Sequence, residues 1–208
     1  MARKFFAVLT VCSLTLVSAS YALIPNIDLS TATTQATETV SVFSIPDGSG
    51  NPLSSVFIFG GSQVNGTVTV TLVDDSVTPI FNWPFEDLWI ESNTPDIVLC
   101  QGGSVADGPT NVNGQATFSG PLQAGGWGEG LVVWVGGVVD SPLSQTPLDY
   151  LFNSPDMNLD LIVNLTDIVL FAQIYFEAYD YQADYYYDGV INLSDIVLLA
   201  QGSGGACP

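Results

Sequence analysis

The segment Asn164-Leu-Thr-Asp-Ile-Val-Leu-Phe-Ala-Gln173 recurs as Asn192-Leu-Ser-Asp-Ile-Val-Leu-Leu-Ala-Gln201, changed only at Thr166/Ser194 and Phe171/Leu199. A repeat this close within a short stretch implies two equivalent structural units packed together. Each copy follows a polar, acidic loop, the first beginning at Asp156 and the second at Asp184, so the C-terminal part of the chain reads as two loop-then-helix units.

The loops carry a spacing with chemical meaning. Calcium takes six to eight hard oxygen ligands, and a twelve-residue loop supplies them from side chains at positions 1, 3, 5, 9 and 12 and a backbone carbonyl at 7. Counted from Asp156, those side-chain positions hold Asp156, Asn158, Asp160, Asn164 and Asp167, with Ile162 offering the carbonyl. Counted from Asp184, they hold Asp184, Tyr186, Asp188, Asn192 and Asp195, with Val190 offering the carbonyl; only Tyr186 breaks the series. Without a divalent ion among them, the clustered carboxylates of each loop would repel one another. The expected cofactor is therefore Ca2+, one or two ions, and acidification is expected to weaken its binding because protons compete at the same oxygens. The plain alternative is that Asp and Asn make polar turns ahead of two helices.

In ligand spacing, terminal Asp and duplication, residues 154–201 resemble the dockerin type I module, whose loops run directly into helices opening on an Asn-x-Ser/Thr-Asp phrase. The resemblance implies a duplicated EF-hand calcium module, a cohesin-like protein partner, and recruitment to an extracellular polysaccharide-degrading assembly. This chain departs from the pattern in three places. Position 6, where a tight turn favours Gly, is Leu161 in the first loop and Gly189 in the second, so backbone strain is expected at Leu161. Tyr186 stands where a short oxygen ligand belongs. Positions 10 and 11, usually polar pairs in cohesin-binding members, are Leu165-Thr166 and Leu193-Ser194, and no basic residue lines the helices.

Arg3 and Lys4 precede an apolar run from Phe5 to Val17 and small residues at Ser18, Ala19, Ser20 and Ala22, the layout of a secretory signal peptide over residues 1–22, with cleavage after Ala19 or Ala22. The run is too short to span a bilayer, so no membrane span is expected. Arg3 and Lys4 are the two cations of the whole sequence, against 21 carboxylates and no His. A chain of that kind cannot neutralise phosphates, so nucleic acid is excluded as a partner. Cys100 and Cys207 remain after processing, and in an oxidising compartment an intramolecular disulfide is the expected state, two free thiols or an interchain bridge being the alternatives.

Short strands are expected over residues 23–150: Thr39–Ser44, Val56–Gly60, Thr67–Val73, Asp87–Glu91, Ile97–Cys100, Gln115–Ser119 and Leu131–Val135, separated by turn clusters such as Asp47–Pro52 and Asn113-Gly114. Val68, Val70 and Leu72 alternate with threonines, as in a strand buried on one face. The fold class expected is mainly β, an immunoglobulin-like antiparallel β-sandwich at 23–150 followed by a small α-helical dockerin-like EF-hand pair at 151–208. Thr67–Asp74 and Asn111–Phe118 are loosely similar to the immunoglobulin-like repeats of bacterial surface adhesins.

Other signals are weaker. With no His, with Arg3 and Lys4 in the expected signal segment and with Cys100 and Cys207 expected to be bridged, only carboxylate chemistry is open, with Glu86, Asp87 and Glu91 the best cluster; the expectation is that the protein is not an enzyme. Asp87, Trp89 and Glu91 should share the outer face of one strand, an arrangement suited to a glycan, with Trp83 and Trp127 extending it and Trp134 in the core. Gly126–Gly130 reads as a hairpin turn, and Tyr175–Tyr187 as packing between the loops or against the sandwich. Among the Asn-x-Ser/Thr sequons, Asn164 and Asn192 fall on loop position 9, which leaves Asn65 as the acceptor in a glycosylating host. The reading is a secreted, non-catalytic calcium-binding protein of the cell surface or extracellular matrix, structural or adhesive, with a polysaccharide-assembly component and a carbohydrate-binding module using Trp89 as alternatives.

Overall fold

The computed structural model describes residues 24–137 and 139–208; the expected signal segment, with Arg3, Lys4 and Cys12, lies outside them. The fold is mainly β, with two short α-helices among the described residues. Val68–Thr71 (β5) shows how its sequence dictates its place: Val68 and Val70 are buried and Thr69 and Thr71 half-buried. It pairs antiparallel on one side with Thr31–Thr34 (β1) and on the other with Gln115–Phe118 (β8), giving a three-stranded sheet.

The larger sheet is organised around Ala124–Val135 (β9), which pairs with Leu88–Ser92 (β6), Ile97–Leu99 (β7), Ser141–Pro142 (β10) and Leu148–Asn153 (β11). Val40–Phe43 (β2), Val56–Ile58 (β3) and Gln63–Val64 (β4) continue it beyond β11. One apolar cluster draws Val68, Val70 and Phe118 from the small sheet together with Val42, Leu88, Leu131 and Phe152 from the large one, so the sheets share a core.

The expected antiparallel arrangement needs correction. β11 pairs antiparallel with β9 but parallel with β2, Tyr150 opposite Val40 and Asn153 opposite Phe43, so the large sheet is mixed. Parallel neighbours need a long connection, and most of the β domain lies between these two. β11 also runs to Asn153, carrying the sheet past the boundary expected at residue 150.

Gly126–Gly130 is not a turn but the interior of β9. Glycines in a strand mark close approach of other groups, and here Gly126 faces Leu159, Gly128 faces Ser92 and Thr94, and Gly130 faces Pro147. Trp134 is not in the core either: Val133 and Val135 point inward, fully buried, and Trp134 takes the opposite face. Trp83 packs against the shared core rather than extending an outer platform.

All four residues of β2 are buried, although strict alternation would leave half of them outside. The reason lies in the C-terminal third. Phe43 and Phe57, on the outer face of β2 and β3, join Ile45 in a second apolar cluster with Met157, Val163, Phe171, Tyr185 and Leu199. Two helices, Leu165–Tyr175 (α1) and Leu193–Gly202 (α2), each contribute one of these side chains, Phe171 and Leu199. A disulfide joins Cys100, just past β7, to Cys207, with Cα atoms 5.6 Å apart across 107 residues of sequence. In the chain-entropy account a loop of that length contributes about 4 to 5 kcal/mol. No helix among the described residues is long and apolar enough to cross a membrane.

Candidate metal centre

Each loop is shaped by its own side chains. In the first, the Asp156 carboxylate accepts the N–H groups of Asp160 (3.2 Å) and Leu161 (2.8 Å), Asn158 Oδ1 accepts that of Asp160 (3.1 Å), and Asp160 Oδ1 that of Ile162 (2.9 Å). Such Asx turns are the local bonds by which Asp and Asn bend a chain. The second loop repeats them: Asp184 accepts from Asp188 (3.1 Å) and Gly189 (2.8 Å), and Asp188 from Val190 (3.0 Å).

Position 12 closes each ring. Asp167 accepts N–H groups from Met157 (2.9 Å) and Asn158 (3.2 Å) with one oxygen and that of Asn164 (2.8 Å) with the other. Asp195 does the same with Tyr186 (2.9 Å) and Asn192 (2.8 Å). Asn164 and Asn192 are the helix N-caps, and with Asp167 and Asp195 at the third helical position each makes a reciprocal capping box. The repeated Asn-x-x-Asp phrase thus starts the helix and fastens the loop.

The backbone turns alike in both loops. Positions 4 and 6 are left-handed: Leu159 (φ 68°) and Leu161 (φ 64°) in the first, Tyr187 (φ 53°) and Gly189 (φ 86°) in the second. The strain expected at Leu161 is present, because a side-chain-bearing residue in this region costs about 1 to 2 kcal/mol.

Asp156, Asp167, Asp184 and Asp195 are all fully buried, and the described residues contain no Lys, Arg or His. Burial raises the Asp156 pKa above the usual carboxylate value; the Leu161 N–H opposes the rise, and repulsion from Asp167 and Asp160 adds to it. Burial raises that of Asp195 as well, against the N–H groups of Tyr186 and Asn192 and with repulsion from Asp184 and Asp188. Buried carboxylates are ordinarily paired with a cation or bound to a metal.

The remaining expected ligands lie beside one another. Asn158 Nδ2 donates to Asp160 Oδ2 (2.9 Å), Asn164 Nδ2 to the Ile162 carbonyl (3.0 Å), and Asn192 Nδ2 to both Asp188 Oδ2 (3.2 Å) and the Val190 carbonyl (3.1 Å). Among the described residues, however, no three His, Cys, Asp or Glu side chains converge as a metal-holding group; the carboxylates turn onto backbone N–H groups instead. In donor chemistry the first loop fits a hard divalent cation, all its contributions being oxygen. The second falls short at Tyr186, whose ring leaves the loop to pack on Phe57, 5.1 Å between centroids, and fills the space where a Cβ on Gly61 would stand.

Tyr186 is one of several contacts that fix the loops to the sheet. Gly126 N–H donates to the Asp156 carbonyl (2.7 Å), and the Asp156 carboxylate leaves no room for a Cβ on Gly125. Gly60 and Gly61 N–H groups donate to the Tyr187 carbonyl (2.9 and 3.2 Å), and Asn153 Nδ2 to that of Asp184 (2.9 Å). Val163, at position 8, bonds Gly204 and Gly205 of the C-terminal tail (2.9 and 2.8 Å), which the disulfide anchors to the sheet. Tyr179, which no spacing rule singles out, donates its hydroxyl to Asp184 Oδ2 (2.8 Å); burial first, then that bond and the charge of Asp184, raise its own pKa. No protein-family model and no curated protein matches this chain.

Proposed function

We propose that this is a secreted, non-catalytic calcium-binding protein of the cell surface or extracellular matrix, in which a dockerin-like pair of loops is held against an immunoglobulin-like sandwich. One observation carries the reading: four fully buried aspartates stand in two matching loops of a chain whose described part has no cationic side chain. Asp156, Asn158, Asp160, Ile162, Asn164 and Asp167 would hold the ion in the first loop, and Asp184, Asp188, Val190, Asn192 and Asp195 in the second. The ion would supply the positive charge that buried carboxylates require, in a compartment where calcium is abundant. Since both loops contact the sheet through Gly125, Gly126, Gly60 and Gly61, filling them would stiffen the joint between the two parts, a scaffolding use of calcium.

Glu91 accepts the Trp89 indole N–H (2.8 Å), and Glu86 is exposed to solvent. The test is calorimetric titration of calcium into the chelator-treated mature protein, with Asp167→Ala and Asp195→Ala alongside. Binding lost loop by loop supports the reading; no heat at millimolar calcium removes it.

A second reading, a component docked by a cohesin-like protein onto an extracellular polysaccharide-degrading assembly, rests on the dockerin resemblance and would use the outer face of the helices, apolar at Leu165 and Leu193 where cohesin-binding members usually carry polar pairs. Leu165 and Leu193 are 72% and 71% exposed, and Val169, Val197, Ile168 and Ile196 are exposed beside them, without a charged side chain on that face. A partner with a matching apolar surface would cover these side chains. A cohesin pull-down in calcium, abolished by Val169→Glu with Val197→Glu, is the discriminating measurement.

A further inference from the structure

The outer face of the β6–β9 pair carries a second feature, separate from the loops. Leu88, Ile90, Val133 and Val135 point into the core, so Trp89 and Trp134 point outward. They are direct partners in the register, and their rings stack on one another, 10° between planes and 5.9 Å between centroids. Pro142 of β10 pairs with Trp134, and Val105 bridges to the other edge of Trp89. Directly paired residues share a face, so Pro142, Trp134, Trp89 and Val105 form an apolar row four strands wide, about 14 Å at the spacing of paired strands.

The row is held in place and bordered by acceptors. The six-membered edge of the Trp89 indole occupies the space where a Cβ on Gly136 would sit, so the glycine lets that edge lie close against β9. Its N–H donates to Glu91 Oε1 at 2.8 Å, which fixes the ring and leaves the carboxylate, with about four acceptor sites in all, able to take further donors. Beside Trp89 a cleft opens, lined by Phe85, Leu99 and Val105 with Glu86, Ser104 and Gly102. Apolar, aromatic walls with a few polar groups are the usual make-up of a small-molecule site.

We propose that this row and its cleft bind a neutral oligosaccharide, the C–H face of a sugar ring packing on the exposed side of the stacked Trp134 and Trp89 pair while hydroxyls donate to Glu91 and Glu86. The charge balance selects the class. With carboxylates at the rim and no Lys, Arg or His in the described chain, uronic or sulfated glycans would be repelled, whereas a neutral, donor-rich chain meets acceptors only.

The test is calorimetry and tryptophan fluorescence on the full mature chain in calcium, with cellohexaose, xylohexaose, mannohexaose and chitohexaose as probes and polygalacturonate as the anionic control. Binding to at least one neutral hexasaccharide and none to polygalacturonate is expected. Trp134→Ala should weaken it at least tenfold and Trp134→Phe far less, with circular dichroism unchanged. Val105→Asp, which leaves the core untouched, should weaken it severalfold. No binding to any of the four at millimolar concentration, or affinity indifferent to Trp134→Ala and Val105→Asp, would overturn the proposal.

Discussion

The first loop carries an oxygen side chain at every expected position but makes its tight bend at Leu161, whereas the second bends at Gly189 and gives up its third position to Tyr186. Elsewhere the two share hydrogen bonds, capping boxes and buried aspartates. The contrast teaches that one plan is serving two ends: the first loop keeps an oxygen side chain at each position and tolerates strain, while the second relaxes the backbone and turns its third side chain to the sheet, with Tyr186 against Gly61 and Phe57. A duplicated motif need not be duplicated in function when each copy meets a different part of the neighbouring sheet.

The largest expected effect comes from removing position 12. Asp167→Ala deletes a cap, typically about 1 kcal/mol, and the stabilisation from a bound ion, about 3 kcal/mol at a hundredfold excess over Kd. At about 2 to 4 °C per kcal/mol for a chain of this size, thermal unfolding in millimolar calcium should fall by about 10 °C. Asp195→Ala should cost about half as much; equal losses, read by calorimetry, would break the contrast between the loops.

Tyr186→Asp sharpens it in the other direction. The change restores an oxygen ligand and removes a docked ring, so second-loop calcium affinity should rise about tenfold, near 1.4 kcal/mol. Stability in chelator, followed by urea unfolding, should fall by about 2 kcal/mol, below the cost of truncating a fully buried aromatic. Unchanged affinity would mean that position 3 does not face the ion.

Strain gives the next pair. Leu161→Gly should stabilise by about 0.5 to 1 kcal/mol, the left-handed penalty less the entropy of a glycine. Gly189→Ala, at φ 86° and with Phe59 2.8 Å from the added carbon, should cost about 1 to 2 kcal/mol.

The pH dependence should change sign with calcium. In chelator, Asp156 and Asp195 have pKa values raised above 3.8 by burial, so the native state holds more protons than the unfolded chain. Their contribution is therefore full below that value and is lost as pH rises through the raised pKa values. With calcium bound the protons become competitors, and acidification should destabilise instead. Unfolding midpoints between pH 3.5 and 7, with and without calcium, read both slopes. The most local effect is Tyr179→Phe, about 1 kcal/mol for one lost hydrogen bond, confined to the second loop and visible as altered calcium affinity there alone.

The loops were the most legible part of the sequence because their shape is made locally. The hydrogen bonds of the Asp156 carboxylate reach no further than Leu161, and those of Asp167 no further than Met157, so spacing alone located the turns, the two helices and the strain at Leu161. The alternation around Val68 and Val70 located a one-sided strand for the same reason. Trp134 was misread as core because a Val-Trp-Val run cannot say which face is inward; the pairing with Trp89 decides that. Gly126–Gly130 read as a turn because nothing local reveals that Leu159, Ser92, Thr94 and Pro147 crowd a strand there.

The sequence by itself determined two helices behind two polar loops, several one-sided strands, and, with Cys12 in the expected signal segment, two cysteines able to pair with each other. Only the tertiary structure decided that β11 lies parallel to β2, that Phe43 and Phe57 are covered from outside, that the Tyr186 ring packs on Phe57, and that Trp89 and Trp134 share an outer row. The physical reason is range. Caps and Asx turns are bonds between near neighbours and are written in spacing, whereas which face of a strand is buried depends on segments far away in the chain that come to lie on it.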